Sequence, residues 1–198
     1  MVVFGITGGS GSGKTSVSKM LEKLGVHIID TDVIAHEIVE PNSECLNELV
    51  DYFGDSILND DKTLNRKKLA SIAFSDKQKT EALSNITHKY IKAEVVKDIN
   101  TTDAELVGID GAVIIGSNVE PLCEFIVSVI ADKQSRITRI KTRDNITDKQ
   151  AIQRINAQND DEFYKENSMY IIYNNGDIAQ LESDVVVLFN KIKGNSFE

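Results

Sequence analysis

Proline and cysteine are scarce in this chain of 198 residues, with two of each, and no uninterrupted apolar run is long enough to span a bilayer. Only Pro41 and Pro121 interrupt the chain. There is no proline-rich linker, low-complexity tract or internal repeat, which excludes repeat and linker-rich architectures. Cys45 and Cys123 lie far apart with no C-x-x-C partner, so they read as small core residues and not as a disulfide or metal framework. An excess of basic charge is also lacking. The net charge of −9 argues against a protein that holds long nucleic acid, because such affinity comes largely from phosphate neutralisation by Lys and Arg. The N-terminal apolar segment runs straight into a glycine-rich loop without a signal-peptide pattern, and a cytoplasmic location is expected.

What the chain does have is a hydrophobic content of 41%, which excludes disorder, and enough length to bury one sizeable core. Its most specific feature is Gly8-Gly9-Ser10-Gly11-Ser12-Gly13-Lys14-Thr15. That run fits the phosphate-binding loop G-x-x-x-x-G-K-[ST] at every fixed position. The apolar residues Val2, Val3, Phe4 and Ile6 before it read as a buried strand. Val17, Met20, Leu21 and Leu24 after it recur at helical spacing. Strand, loop and helix in that order place backbone N–H groups and the positive end of a helix around one anion. Lys14 is expected to reach the β- and γ-phosphates of a nucleoside triphosphate, and the Thr15 hydroxyl to coordinate Mg²⁺.

Short apolar runs at 2–7, 26–30, 105–110, 125–131 and 169–173 alternate with helical patterns, which predicts a parallel five-stranded sheet wrapped by helices. Ligands in such sheets bind beyond the carboxyl ends of the strands. That rule selects the phosphate loop, Asp30 and Asp32, Asp110, and Asn174 and Asn175. Residues 42–99 lack any strand-like run. Leu46, Leu49, Val50 and Phe53 form a helix face closed by Gly54, and a longer helix runs from about Ser75 to Val96 with His88 within it. The last helix carries Ile178, Leu181, Val185, Leu188 and Ile192 on one stripe. The tail after Gly194 is expected to fray.

Two broad classes share this loop. A switch GTPase needs an Asn-Lys-x-Asp element for guanine, and the nearest match, Asn190-Lys191-Ile192-Lys193, lacks the aspartate. The small-molecule kinase class fits better. The second strand ends in Asp30-Thr31-Asp32, where a carboxylate either accepts a hydroxyl proton or caps the following helix. Residues 133–154 hold Lys133, Arg136, Arg139, Lys141, Arg143, Lys149 and Arg154 against Asp144 and Asp148. Arg136, Arg139 and Arg143 fall at i, i+3 and i+7, on one helix face that reads as a phosphate-closing lid or as a solvated basic surface. Thr147 and Gln150 fit a capping box that starts a second helix.

These residues together resemble the dephospho-CoA kinase family over nearly the whole chain. The resemblance rests on Thr7-Gly8-Gly9 through Lys14, Ile29-Asp30-Thr31-Asp32 with Ala35, and Val39-Glu40-Pro41. It continues through Arg66 with Leu69 and Phe74, His88, Arg139 with Arg143, Arg154-Ile155 with Gln158, and Asn174-Asn175-Gly176. The sequence departs from the family where Ala112 replaces a proline, Gly116 an acid, and Lys89 a proline after His88.

The resemblance implies an α/β P-loop kinase fold in a single domain over 1–198. Its core would be about 1–30, 100–132 and 160–194, its helical substrate-binding insertion about 31–99, and its helical lid about 133–159. It implies ATP-dependent phosphorylation of the ribose 3′-hydroxyl of dephospho-CoA, the last step of coenzyme A synthesis. Asp32, Lys14, Arg139 and Arg143 would be catalytic. Gly9, Ser10, Gly11, Ser12, Gly13, Lys14, Thr15, Ser16, Asn174 and Asn175 would bind ATP, and Thr15 would bind Mg²⁺. Thr7, Asp32, Arg66 and His88 would bind the acceptor. The partner is then a small molecule, with neither nucleic acid nor membrane. Two readings stand beside it: a nucleoside or nucleotide kinase of the same fold, and an ATP-binding protein without turnover.

Overall fold

The computed structural model describes residues 1–195. The strands are β1 (Val2–Thr7), β2 (His27–Asp30), β3 (Leu106–Asp110), β4 (Phe125–Ile130) and β5 (Tyr170–Tyr173). The helices, in chain order, are α1 (Lys14–Lys23), α2 (Thr31–Glu37), α3 (Glu44–Phe53), α4 (Arg66–Ala73), α5 (Lys77–Thr101), α6 (Lys133–Asp144), α7 (Asp148–Asn156), α8 (Asp161–Glu166) and α9 (Ile178–Asn195). The contacts divide the chain into two compact units, one made of Met1–Asp30 with the chain from Thr102 onward, the other of Thr31–Thr101.

The first unit is built on a parallel sheet of order β2-β3-β1-β4-β5. Every adjacent pair runs parallel, so all five strands end at one edge, and β1 lies in the middle with the phosphate loop at its carboxyl end. Val17 and Leu21 of α1 and Leu181, Val185, Leu188 and Ile192 of α9 pack with Phe4, Ile6, Val127, Val129 and Ile172 of the sheet into one buried cluster. Strands covered on both faces read as continuous apolar runs, which is why their positions are visible in the sequence. Four members of the stripe expected on the last helix form this buried face, whereas Ile178, at the start of the helix, is exposed. A smaller core of Ile137, Ile140, Ala151 and Ile155 joins α6 to α7. The turn between those two helices uses Asn145 at φ 50° and the capping box at Thr147, whose hydroxyl accepts the Gln150 N–H while Gln150 Oε1 accepts the Thr147 N–H.

The second unit is helical. Its long helix α5 packs against α2, α3 and α4, burying Ile34, Leu46, Leu49, Leu69, Ile86 and Val95. Helix α3 starts under Ser43, whose hydroxyl accepts the Leu46 N–H, and stops at Gly54 as its spacing predicted. Helix α5 begins at Lys77 and runs five residues past the expected Val96. Its last turn carries Asp98, Asn100 and Thr101, a polar stretch with no apolar period to announce it. Helix α4 was not visible in the sequence, because it is two turns long and buries only Leu69 and Ala73. Lys89, which stands where the family has a proline, donates to Glu48 Oε2 at 2.7 Å, as does the Tyr90 hydroxyl at 2.7 Å, tying α5 to α3.

Cys45 is buried and Cys123 half-buried, both as free thiols. Among the described residues no helix is long and apolar enough to cross a membrane. The fraying expected after Gly194 lies, beyond Asn195, outside the described residues.

Candidate active site

The site grows from the end of β1. The loop between β1 and α1 is held open by residues only glycine can supply. Gly13 has φ +99°, and a Cβ there would come within 2.0 Å of the Asn174 amide nitrogen. Around this turn the Ser12 N–H donates to Gly9 O at 3.0 Å and the Ser16 N–H to Gly13 O at 2.9 Å. The N–H groups of Gly11, Gly13, Lys14 and Thr15 have no intramolecular acceptor among the described residues. The Ser12 hydroxyl, in a residue only 1% exposed, also lacks a partner. Four unpaired donors at the start of a helix, beside a buried hydroxyl, match the needs of a polyphosphate. The residues present therefore fit the nucleotide that the motif predicts. Thr15 and Ser16 stand exposed in the first turn of α1, with the Thr15 hydroxyl available to a cation.

Lys14 is not idle in this arrangement. Its Nζ forms an ion pair with Asp110 Oδ1 at the end of β3, and the two side chains are 13% and 4% exposed. Asp110 lies opposite Asp30 in the β2–β3 register and opposite Ile6 in the β1–β3 register, so two carboxylates end neighbouring strands. The Thr7 hydroxyl, nearly fully buried, donates to Ala112 O at 3.4 Å. Gly116 occupies φ +78°, which explains a glycine where the family carries an acid, and its N–H donates to Glu120 Oε2 at 2.6 Å. A cavity of about 190 Å³ opens beside Thr7, between Ala112 and Val113 on one side and Gln158, Phe163 and Tyr164 on the other.

The basic helix α6 divides its arginines among different tasks. Arg136 is 5% exposed, too buried for a solvated face, and its Nε donates to Ser10 O at 2.9 Å. Arg139 reaches Gly11 O and Ser12 O through Nη1, each at 3.3 Å, and Asn174 O and Oδ1 through Nη2 at 3.0 and 3.3 Å. Arg143 is exposed and donates to both oxygens of Asp144 at 2.7 and 2.9 Å, while Arg154 pairs with the same carboxylate. The Arg143 hydrogen bonds, with the charges of Arg143 and Arg154, hold the Asp144 carboxyl down at about 2. Asp132 caps α6 by accepting the Ser135 N–H and hydroxyl, bonds that hold its carboxyl below the usual range.

The pair after β5 divides its work too. Asn174 is buried and donates through Nδ2 to Ser12 O at 2.7 Å, whereas Asn175 Oδ1 accepts the Asp132 N–H at 2.8 Å. Both are engaged with the loops around the nucleotide site.

The remaining predicted residues sit in the helical unit. Asp32 is exposed in the first turn of α2, inside the helix and not ahead of it. Arg66 opens α4 and its Nη2 donates to His36 Nδ1 at 2.8 Å. His88 is half-buried on α5. No individual role for Arg136 or Gln158 was legible in the sequence. Helical spacing grouped Arg136 with Arg139 and Arg143, but spacing carries no information about which of three arginines is covered.

A family model described as dephospho-CoA kinase matches residues 2–180. The dephospho-CoA kinase of Lactobacillus johnsonii is 35% identical over 191 residues, covering 95% of this chain and 96% of its own length. Among solved structures, a dephospho-CoA kinase from Campylobacter jejuni is similar with a TM-score of 0.69 at 26% identity, covering 98% of each chain. A protein of Thermus thermophilus has a TM-score of 0.83 at 24% identity, covering 96% of this chain and 97% of that one, a likeness of fold. With the phosphate loop, the strand order and a match that runs almost end to end, the chain belongs to the dephospho-CoA kinase family.

Proposed function

We propose that this protein transfers the γ-phosphoryl group of ATP to the ribose 3′-hydroxyl of dephospho-CoA, giving coenzyme A and ADP. The observation that carries the reading is the set of unpaired N–H groups at Gly11, Gly13, Lys14 and Thr15, in a chain of this family. Those donors and the Lys14 ammonium hold the β- and γ-phosphates, and Thr15 would hold Mg²⁺, which when bound offsets charge on the phosphate oxygens.

Asp32 accepts the proton of the acceptor hydroxyl as that oxygen bonds to the γ-phosphorus and the bond from phosphorus to the β,γ-bridging oxygen breaks. Arg139 and Arg143 belong to a lid over about 133–159 and neutralise the charge that develops on the transferring group. Arginine suits this task because it keeps its charge and presents a planar fork to phosphate oxygens. Asn174 and Asn175 border the adenine of ATP. The helical segment 31–99 receives the acceptor, with Arg66, His88 and Thr7 among its contacts. The protein works in the cytoplasm on a small anionic substrate, which a local basic pocket serves despite the net negative charge of the whole chain.

ADP release measured with and without dephospho-CoA tests the reading. Strong stimulation by dephospho-CoA, with coenzyme A identified by mass in the product, is the expected result. ADP release unchanged by dephospho-CoA but stimulated by a nucleoside would overturn the acceptor.

A further inference from the structure

Ser10 of the phosphate loop makes three hydrogen bonds to residues outside the loop, one from Arg136 of α6 and two with Gln158 just past α7. Its N–H donates to Gln158 Oε1 at 2.7 Å, and its hydroxyl accepts Gln158 Nε2 at 3.1 Å. Its carbonyl accepts Arg136 Nε at 2.9 Å. Arg136 Nη2 also donates to Gln158 Oε1 at 3.3 Å, and Arg136 Nη1 lies 3.5 Å from Asp161 Oδ1. The backbone donor, backbone acceptor and side chain of one loop residue are thus all satisfied from outside the loop.

Glutamine suits this contact. Its planar amide offers an acceptor to the Ser10 N–H and a donor to the Ser10 hydroxyl at once, and an apolar chain of the same length offers neither. The amide is itself well placed. Gln158 lies two residues past α7, its N–H donates to Ile155 O at 3.2 Å, and Ile155 belongs to the core that joins α7 to α6.

We infer that Gln158 is a positioning residue for phosphoryl transfer, acting through Ser10 to hold the phosphate loop in its nucleotide-ready shape. With Ser10 fixed, the loop keeps the N–H groups of Gly11, Gly13, Lys14 and Thr15 unpaired and ready. Without it the loop samples other turns, and the cost of ordering falls on nucleotide binding. The inference rests on the reading of this loop as the ATP site.

The test compares wild type, Gln158→Met and Ser10→Ala by calorimetric titration with ADP and by steady-state kinetics. Methionine keeps the length and packing of glutamine and removes both hydrogen bonds. Loss of two such bonds should weaken ADP affinity about 10-fold and raise the KM for ATP similarly, with kcat at saturating ATP within about twofold. A merely structural role would lower the folded fraction, read by circular dichroism, and leave the KM for ATP unmoved. In the Ser10→Ala background, Gln158→Met should cost measurably less than in wild type, because one of its two contacts is already gone. Should Gln158→Met not fold, Gln158→Leu takes its place. It too removes both hydrogen bonds without adding charge, and it is expected to weaken ADP binding. Wild-type affinity and KM in a folded Gln158 variant, or full additivity with Ser10→Ala, overturns the inference alone. A wild-type chain that binds no nucleotide overturns the ATP-site reading along with it.

Discussion

Lys14 and Asp110 form an ion pair that joins the first residue of α1 to the last residue of β3, with both side chains largely withdrawn from water. The lysine that the phosphate loop presents to a nucleotide is therefore already neutralised by a neighbouring carboxylate. ATP must share or displace that partner, and the pair sets the electrostatic starting point of the site.

Removing one member of a buried ion pair takes a charged partner from the other, and such losses cost roughly 3–5 kcal/mol. Lys14→Met should accordingly lose nucleotide binding and also lower the urea midpoint. Adding Asp110→Leu to Lys14→Met should return much of the stability without restoring binding. Urea titrations of the single and double variants, beside ADP calorimetry, check both halves. A single variant as stable as wild type would mean that the pair contributes nothing.

Asp32, exposed in the first turn of α2, is the base of the proposed mechanism. Asp32→Asn should leave ATP affinity within a few-fold and lower turnover roughly 10²-fold, the scale of a lost general base. Turnover equal to wild type would remove Asp32 from the mechanism.

Arg139 bridges four acceptors, on Gly11, Ser12 and Asn174, with one planar guanidinium. A lysine ammonium cannot span that set, so Arg139→Lys should reduce kcat/KM for ATP by about 10-fold or more although the charge is kept. Initial rates at varied ATP measure this, and rescue by lysine to wild-type values would show that charge alone matters.

The Asp144 carboxyl is held at about 2, below its ordinary 3.8, chiefly by hydrogen bonds from Arg143, with the charge of Arg154 adding to them. A depressed folded-state value means that this contribution to stability is complete above about pH 4 and is lost as pH falls toward 2. The melting-temperature gap between wild type and Asp144→Asn should be open at pH 5 and shrink toward pH 2. A gap that is constant with pH would deny the pairing.

Burial pushes the Cys45 thiol up to about 11 and the Cys123 thiol up to about 12. Little of either exists as thiolate at pH 8, so a disulfide reagent should label the native protein slowly and release two thiols promptly in urea. Two prompt thiols in the native state would contradict the burial.

Some of the site was legible because its requirements are local. The Gly13 conformation, the strand before the loop and the helix after it are consecutive in sequence, and the capping box at Thr147 and Gln150 closes within four residues. The strands were legible because burial on both faces leaves nearly continuous apolar runs, as in Phe125–Ile130, where Ser128 is the one polar residue. Helix α4 was hidden, since a two-turn helix with two buried residues has no period to detect. The partition of Arg136, Arg139 and Arg143 was hidden too. All three share one helix, and helical spacing does not say that Arg136 holds Ser10, 126 residues away, that Arg139 spans Ser12 and Asn174, 127 and 35 residues away, or that Arg143 turns to its neighbour Asp144.

The sequence by itself determined that a phosphate loop stands at the centre of a parallel sheet, because backbone conformation and apolar periodicity are written in neighbouring residues. The tertiary structure alone decided that Lys14 meets Asp110 and that Gln158 meets Ser10, pairings 96 and 148 residues apart. Side-chain hydrogen bonds across such separations depend on how strands and helices stack, and no spacing rule within one element encodes them.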